Sequence, residues 1–407
     1  MSLIVYSIPI FFLLIGVELL VTRVRGLSYY RFNDAITNLS CGIGSQVSGL
    51  FMKFLTFGVY VLIYNSSPLK GLIPYNYLWM VLLFIGVDFF YYWFHRLAHE
   101  VSIIWGSHVV HHQSEEYNLS VALRQAWVQG AFSWVFYLPL AFLGFEPLMF
   151  ATIASLQTLY QFWIHTKVIG KMPRWFEYVF NTPSHHRVHH GVNPKYIDKN
   201  HGGTLIIYDR MFGTFQEEEE EVVYGITTQA KSWNPLWVNF EYWIDLMKDV
   251  AKAPKPADAF RMLIKAPGWK PAEMGGMLAY NEVSAATFQK YETSVSPLLN
   301  NYIFFQFVIL LLGTSAFLFG QKNLDPTMIA IVSVLIIYTV VTIGALFELK
   351  RWVVPAEMLR VIVLAFIIGL LVLRSYPISY AISVEGLYLL PSLIWFSTTI
   401  KEINSNK

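Results

Sequence analysis

All eleven histidines of this 407-residue chain lie between His95 and His201, where scattering by composition alone would put about three. Their spacing says as much as their crowding. His95 and His99 stand four residues apart, one turn along a helix face. His108, His111 and His112 follow at i, i+3, i+4, and His186, His189 and His190 repeat that interval. Three imidazoles so placed can turn their nitrogens toward one point, and neutral imidazole is a strong ligand for iron, zinc and copper. A mononuclear catalytic site takes about three protein ligands. His95, His99, His108, His111, His112, His165, His186, His189 and His190 exceed that number, so they are read as ligands to a pair of metal ions. Cys41 is the one cysteine, which leaves no thiolate site, iron–sulfur cluster or intrachain disulfide to consider. A solitary histidine is more often structural, and His185 and His201 are read that way.

Asp88 is the second sharp feature. It precedes His95 by seven residues and His99 by eleven, nearly on one helix face. It also falls inside an apolar stretch, where an acid is costly and normally has a partner. The expected partner is the ring N–H of a ligand histidine, whose tautomer Asp88 would fix. The alternative is a hydrogen bond between packed helices. Glu18, in the first apolar stretch, has no such register and is left unassigned.

The elements that must position these residues are membrane helices. Hydrophobic residues make up 55% of the chain and charged residues 14%, against about 25% charged in a soluble domain. The mean hydropathy of +0.46 agrees. A net charge of +2 with no basic run offers nothing to nucleic acid. A span needs about 20 apolar residues, and candidates fall at 3–22, 46–65, 77–95, 127–145, 147–165, 297–319, 327–348, 353–373 and 377–397. The expected fold is therefore an all-α, polytopic bundle of nine spans. Its expected parts are N-terminal spans in 1–76, a catalytic region in 77–296 and C-terminal spans in 297–407. The start of the chain reads as a retained first span rather than a removed signal peptide.

Loop charges predict the orientation. Arg23, Arg25 and Arg31 follow the first span, Lys167, Lys171 and Arg174 the fifth, and Lys350 and Arg351 the seventh. The alternate loops hold only Lys70, Lys322 and Arg374. Basic loops stay inside, which puts residues 96–126 and 166–296 on the cytoplasmic side of an endoplasmic reticulum or bacterial inner membrane. The run Glu217–Glu221 reads as a solvated loop, and residues 234–243 as an amphipathic segment along the membrane surface. A metal transporter would need its polar ligands near mid-membrane. Histidines at span ends and in loops favour a catalytic chamber.

The order His95-x3-His99, His108-x2-His111-His112, His186-x2-His189-His190 resembles the fatty acid hydroxylase and sterol desaturase superfamily of membrane di-iron enzymes. Segments such as His95-Arg96-Leu97-Ala98-His99-Glu100, Glu116-Tyr117-Asn118-Leu119-Ser120, Gln161-Phe162-Trp163-Ile164-His165-Thr166 and the stretch from Asn181 to Gly191 are similar to its ether-lipid-cleaving branch. The similarity is dense from about residue 80 to 275. It implies two iron ions, O2 and tetrahydrobiopterin as cofactors, and an alkylglycerol drawn from the bilayer as substrate. It also implies that Glu100, directly after His99, serves catalysis by contacting the pterin, beside the supporting catalytic role that register alone gives Asp88. Asn200-His201-Gly202 departs from the superfamily's usual Asn-Tyr-Gly. A sterol or fatty acyl hydroxylase or desaturase of the same superfamily, fed by a redox protein, is the nearest alternative. A metal transporter or a membrane protein with a vestigial site stands further off.

Overall fold

A computed structural model describes residues 3–279, 283–373 and 377–405. Arg374, which enters the loop-charge reading, lies outside them. Among the described residues there is no β-strand, only three isolated bridges. The principal helices are α1 Leu3–Val24, α2 Phe32–Ser66, α3 Tyr77–Glu100, α4 Gly130–Phe142, α5 Pro147–Trp163, α6 Pro183–His189, α7 Ile207–Phe212, α8 Pro235–Val250, α9 Pro256–Ile264, α10 Pro297–Gly320, α11 Pro326–Phe347, α12 Val353–Leu373 and α13 Ile378–Ser405. The starts of many are written locally. Asn76 caps α3 by accepting from the Trp79 amide at 3.1 Å. Glu146-Pro147, Ser296-Pro297 and Asp325-Pro326 each pair a side-chain cap with a proline in the first turn.

Seven described helices, not the nine expected, are long and apolar enough to cross a membrane. The stretches read as spans at 127–145 and 147–165 are α4, with 13 residues, and α5, with 17. At 1.5 Å per residue these reach about 20 and 26 Å, short of a hydrocarbon core of about 30 Å. The apolar run misled because it continues through the turn between them, where Gly144 takes a φ of 89°. A Cβ there would sit 2.4 Å from the Leu69 carbonyl oxygen. The stretch at 46–65 is only the second half of α2, which runs for 35 residues.

The chain forms two compact units, residues 1–230 with 238–290 and residues 231–237 with 291–407. In the first, Tyr60, Leu83, Val87, Leu140, Met149 and Ile153 make a core among α2, α3, α4 and α5. Lipid tails are as apolar as leucine, so such cores gain from close packing rather than from leaving water. Small residues serve that packing: a Cβ on Gly86 would meet Leu140 at 2.9 Å, and one on Gly44 would strike Trp127 at 2.2 Å. One side of α8 is buried through Val238 and Asn239, whose Oδ1 accepts from the Trp127 amide at 2.8 Å. Trp237, Ile244 and Met247 are exposed.

The second unit is centred on a polar knot. Arg360 on α12 is fully buried and binds Glu357 through Nε at 2.7 Å and Nη2 at 2.5 Å. Tyr302 and Gln306 of α10 and Tyr388 of α13 complete it, with Tyr302 donating to Glu357 and Arg360 to Gln306 and Tyr388.

Candidate metal centre

Short elements bring the histidines together at the end of α3. His95 and His99 occupy its last two turns, both buried. The chain then turns back through two single helical turns, Ser102–Trp105 and Val109–His112; His108 stands at the head of the second, which carries His111 and His112. His165 follows the end of α5, and α6 with the residue after it supplies His186, His189 and His190.

The nine expected ligands fall into two groups. His95, His99, His108, His112 and His189 form one; His111, His165, His186 and His190 form the other. Within each group one nitrogen per ring lies within 4.8 Å of all the others. His185 and His201 belong to neither.

The tautomers argue that these nitrogens await a cation. Nδ1 of His95 faces the His201 carbonyl at 2.7 Å, that of His111 the Arg124 carbonyl at 3.0 Å, that of His165 the Gln161 carbonyl at 2.7 Å, and that of His189 the Lys199 carbonyl at 3.0 Å. A carbonyl only accepts, so each Nδ1 carries the proton and each Nε2 is left with its lone pair. Nevertheless Nε2 of His165 lies 3.1 Å from Nε2 of His111, two rings that both carry their proton on Nδ1. Facing lone pairs repel unless a positive charge sits beside them. Two nitrogens about 2.1 Å from one ion, at right angles, stand roughly 3 Å apart. Burial, reinforced by neighbouring histidines, holds His108, His112, His186, His189 and His190 well below the ordinary histidine range, and burial takes His111 to about 4. The rings are thus neutral at pH 7, as ligands must be. Nε2 of His99, His189 and His190 is buried with no hydrogen-bond partner among the described residues.

Asp88 does not contact a histidine ring, contrary to the sequence reading. It accepts from the Thr204 and Leu205 amides, each at 2.8 Å, and from Gln157 Nε2 at 3.0 Å. Its face of α3 does point toward the site, but the loop carrying Thr204 lies between. Glu100 is bound by Arg96 Nε at 2.8 Å and is half-exposed. It does not line the cavity of about 200 Å³ over the five-histidine group, whose walls include His99, His189, Trp105, Tyr242 and Leu278. The acid in that wall is Asp198, 3.6 Å from Nδ1 of His99.

Several supporting residues escaped the sequence reading. Arg124 supplies the carbonyl for His111 and binds the Val110 carbonyl at 2.7 Å and Asn38 at 3.0 Å. Arg187, between two ligand positions, forms a two-point pair with Glu218 at 2.7 and 2.6 Å. Glu218 belongs to the acidic run expected to be solvated; an arginine inside a histidine cluster was the signal that it has a partner. Glu18 receives hydrogen bonds from Tyr30 and Thr166, and from the Leu119 amide at 2.8 Å, which ties α1 to the residue beside His165.

Known proteins agree with this chemistry. A family model described as fatty acid hydroxylase matches residues 80–214, which span both histidine groups. Alkylglycerol monooxygenase of Homo sapiens is 36% identical over 402 residues, covering 98% of this chain and 89% of the relative. The chain belongs to the alkylglycerol monooxygenase family. The Xenopus tropicalis and Danio rerio members are 37% and 34% identical, over 88% and 92% of this chain and 80% and 84% of their own lengths. No solved structure matches. This member of the alkylglycerol monooxygenase family is accordingly an integral membrane oxidoreductase built on the histidine chamber.

Proposed function

We propose that the enzyme cleaves the ether bond of alkylglycerols with O2 and tetrahydrobiopterin, releasing a fatty aldehyde and a glycerol derivative. The observation that carries this is the pair of histidine groups whose Nε2 lone pairs converge while backbone carbonyls hold Nδ1. The nine group members would hold two iron ions, which supply oxygen activation and insertion of one oxygen atom into a C–H bond. In overall balance, the carbon beside the ether oxygen gains a hydroxyl, the pterin gives two electrons and two protons, and the second oxygen atom leaves as water. The resulting hemiacetal separates into aldehyde and free glycerol hydroxyl.

The chain's own part is to orient and to exclude water. The carbonyls of Arg124, Gln161, Lys199 and His201 set the ring orientations. Buried Val109, with Val192, Ile226 and Leu278, makes the cavity wall beside the histidines apolar. The family resemblance points to Glu100 for the pterin, whereas the cavity favours Asp198, whose carboxylate would accept from an amino-pyrimidine edge between Trp105 and Tyr242. The basic loops favour a cytoplasmic chamber. A helical hairpin such as α4–α5 would enter and leave on one side, so the loop-charge argument is the same for seven spans as for nine.

The test is purified, iron-loaded protein given O2 with either tetrahydrobiopterin or a redox-protein chain, against an alkylglycerol and a sterol. Fatty aldehyde should appear only with the pterin and the alkylglycerol. Sterol oxidation driven by the redox chain would assign the enzyme to the neighbouring hydroxylases instead.

A further inference from the structure

Three histidines of the five-membered group lean on one short loop. The Lys199 carbonyl meets His189 at 3.0 Å, the His201 carbonyl meets His95 at 2.7 Å, and the Asp198 carboxylate stands 3.6 Å from His99. The Asp198 carbonyl also meets Nε2 of His201 at 3.1 Å. Among the described residues no member of the four-histidine group bonds to this loop; His111 and His165 use the carbonyls of Arg124 and Gln161. The loop thus serves one group and not the other.

Its shape is unusual and strongly held. Asp198 and Asn200 both adopt left-handed backbone, φ 56° and 57°, which asparagine and aspartate tolerate better than other side chains. Gly202 and Gly203 follow because nothing larger fits. A Cβ on Gly202 would lie 2.5 Å from the Leu205 carbonyl, and one on Gly203 would lie 2.4 Å from Gln157 Nε2. Stripped of side chains, the backbone meets two buried carboxylates. Asp209 accepts from the His201 and Gly202 amides, each at 2.7 Å, and from Thr214 Oγ1 at 2.7 Å. Asp88 takes the Thr204 and Leu205 amides. The carbonyl that orients His95 and the amide bound by Asp209 belong to the same residue, His201.

We propose that Asp209 is a positioning residue that locks the 198–205 loop, so that its carbonyls hold His95 and His189 with Nε2 aimed at the metal of the five-histidine group. The proposal rests on the reading that each group holds a metal. It predicts a site-selective defect, which general loosening of the fold would not give. Asn in place of Asp209 keeps the shape but turns one acceptor oxygen into an NH2 that confronts an amide donor. Loss of an outer partner of this kind typically costs metal affinity about 10- to 100-fold.

Cobalt(II) titration of the metal-free, full-length protein in detergent, followed by visible absorption, tests this. Wild type should take up two equivalents. Asp209→Asn should retain one near wild-type affinity and bind the other about 10- to 100-fold more weakly. Adding His165→Ala, which disables the four-histidine group, should leave Asp209→Asn with only the weak equivalent. If Asp209→Asn does not fold, Thr214→Val removes one of its three donors and should weaken the same equivalent alone. Equal weakening of both equivalents, or of neither, overturns the clamp. Fewer than two equivalents in wild type overturns the two-metal reading and the proposal with it.

Discussion

The histidine chamber and the Glu357–Arg360 knot are both buried polar clusters in a membrane protein, yet they are satisfied in opposite ways. In the knot, Glu357 receives Tyr302 and Arg360, and Arg360 reaches Glu357, Gln306 and Tyr388. Donors meet acceptors throughout. In the chamber, acceptor meets acceptor: the Nε2 atoms of His111 and His165 face each other, and those of His99, His189 and His190 have no hydrogen-bond partner among the described residues. Buried polar atoms left unpaired cost free energy, so a cluster that leaves them converging is shaped for something outside the chain. The knot is complete in itself and ties three helices. Burial of polar groups alone therefore separates nothing; the pairing of the groups does.

The contrast is broken most directly by emptying the chamber. His111→Ala or His189→Ala should abolish turnover and lower the metal count while the protein still folds, because each loses a convergent lone pair together with only one hydrogen bond to a backbone carbonyl. Elemental analysis of anaerobically purified wild type should approach two metals per chain, and a value near one with full activity would defeat the two-metal reading. The knot should respond the other way. Arg360→Met leaves Glu357 a buried unpaired charge and should cost roughly 3–5 kcal/mol of stability. The double change Glu357→Gln with Arg360→Met should restore most of it, with metal per folded chain unchanged throughout. Thermal unfolding in detergent beside metal analysis reads both quantities.

Two acids then sharpen the account of the chamber wall. Asp198→Asn should raise the pterin half-saturation roughly tenfold, the worth of one hydrogen bond to a charged group. Glu100→Gln should change it little, since Arg96 already holds that carboxylate. A large effect at Glu100 and none at Asp198 would return the pterin contact to the residue beside His99. The smallest effect belongs to Glu241 on α8, whose Oε2 is buried with no hydrogen-bond partner among the described residues. Burial, with Asp245 one turn on, raises its pKa to about 7. The folded state thus holds this proton more tightly than the unfolded chain, so its stabilising contribution is complete below the usual glutamate range and is lost as pH rises to about 7. The melting temperature of wild type relative to Glu241→Gln should fall over that window, and parallel curves would remove Glu241 from the account.

What the sequence made legible was whatever side chains announce. Eight histidines at one-turn spacing, apolar runs, and a cap followed by proline all carry their meaning in residue type. The orienting partners carry none, because they are backbone carbonyls of Arg124, Gln161, Lys199 and His201, and any residue has one. Asp88 was visible as an acid in a span, but its partners are amides 116 and 117 residues away, beyond any local pattern. The need for glycine at 203 has no local signal, since the close approach is made by Gln157 and Asp88 from distant elements. The nine-span reading and the seven helices long enough to cross differ at α4 and α5, because hydropathy measures composition and a turn made of apolar residues does not interrupt it.

The length of α2 has a consequence for where the enzyme works. Thirty-five residues make a rod of about 52 Å, far more than a hydrocarbon core of about 30 Å. Its first turns carry Asp34 and Asn38, which grip Ser114 and Arg124 beneath the histidines. Across a bilayer, a rod of that length would tie the height of the chamber to the thickness it spans. When bilayer thickness changes, a helix answers by tilting, and tilting this one moves the grip on Arg124, whose carbonyl orients His111. Turnover in vesicles of graded acyl-chain length should therefore pass through an optimum thickness, and a flat profile would uncouple α2 from the chamber.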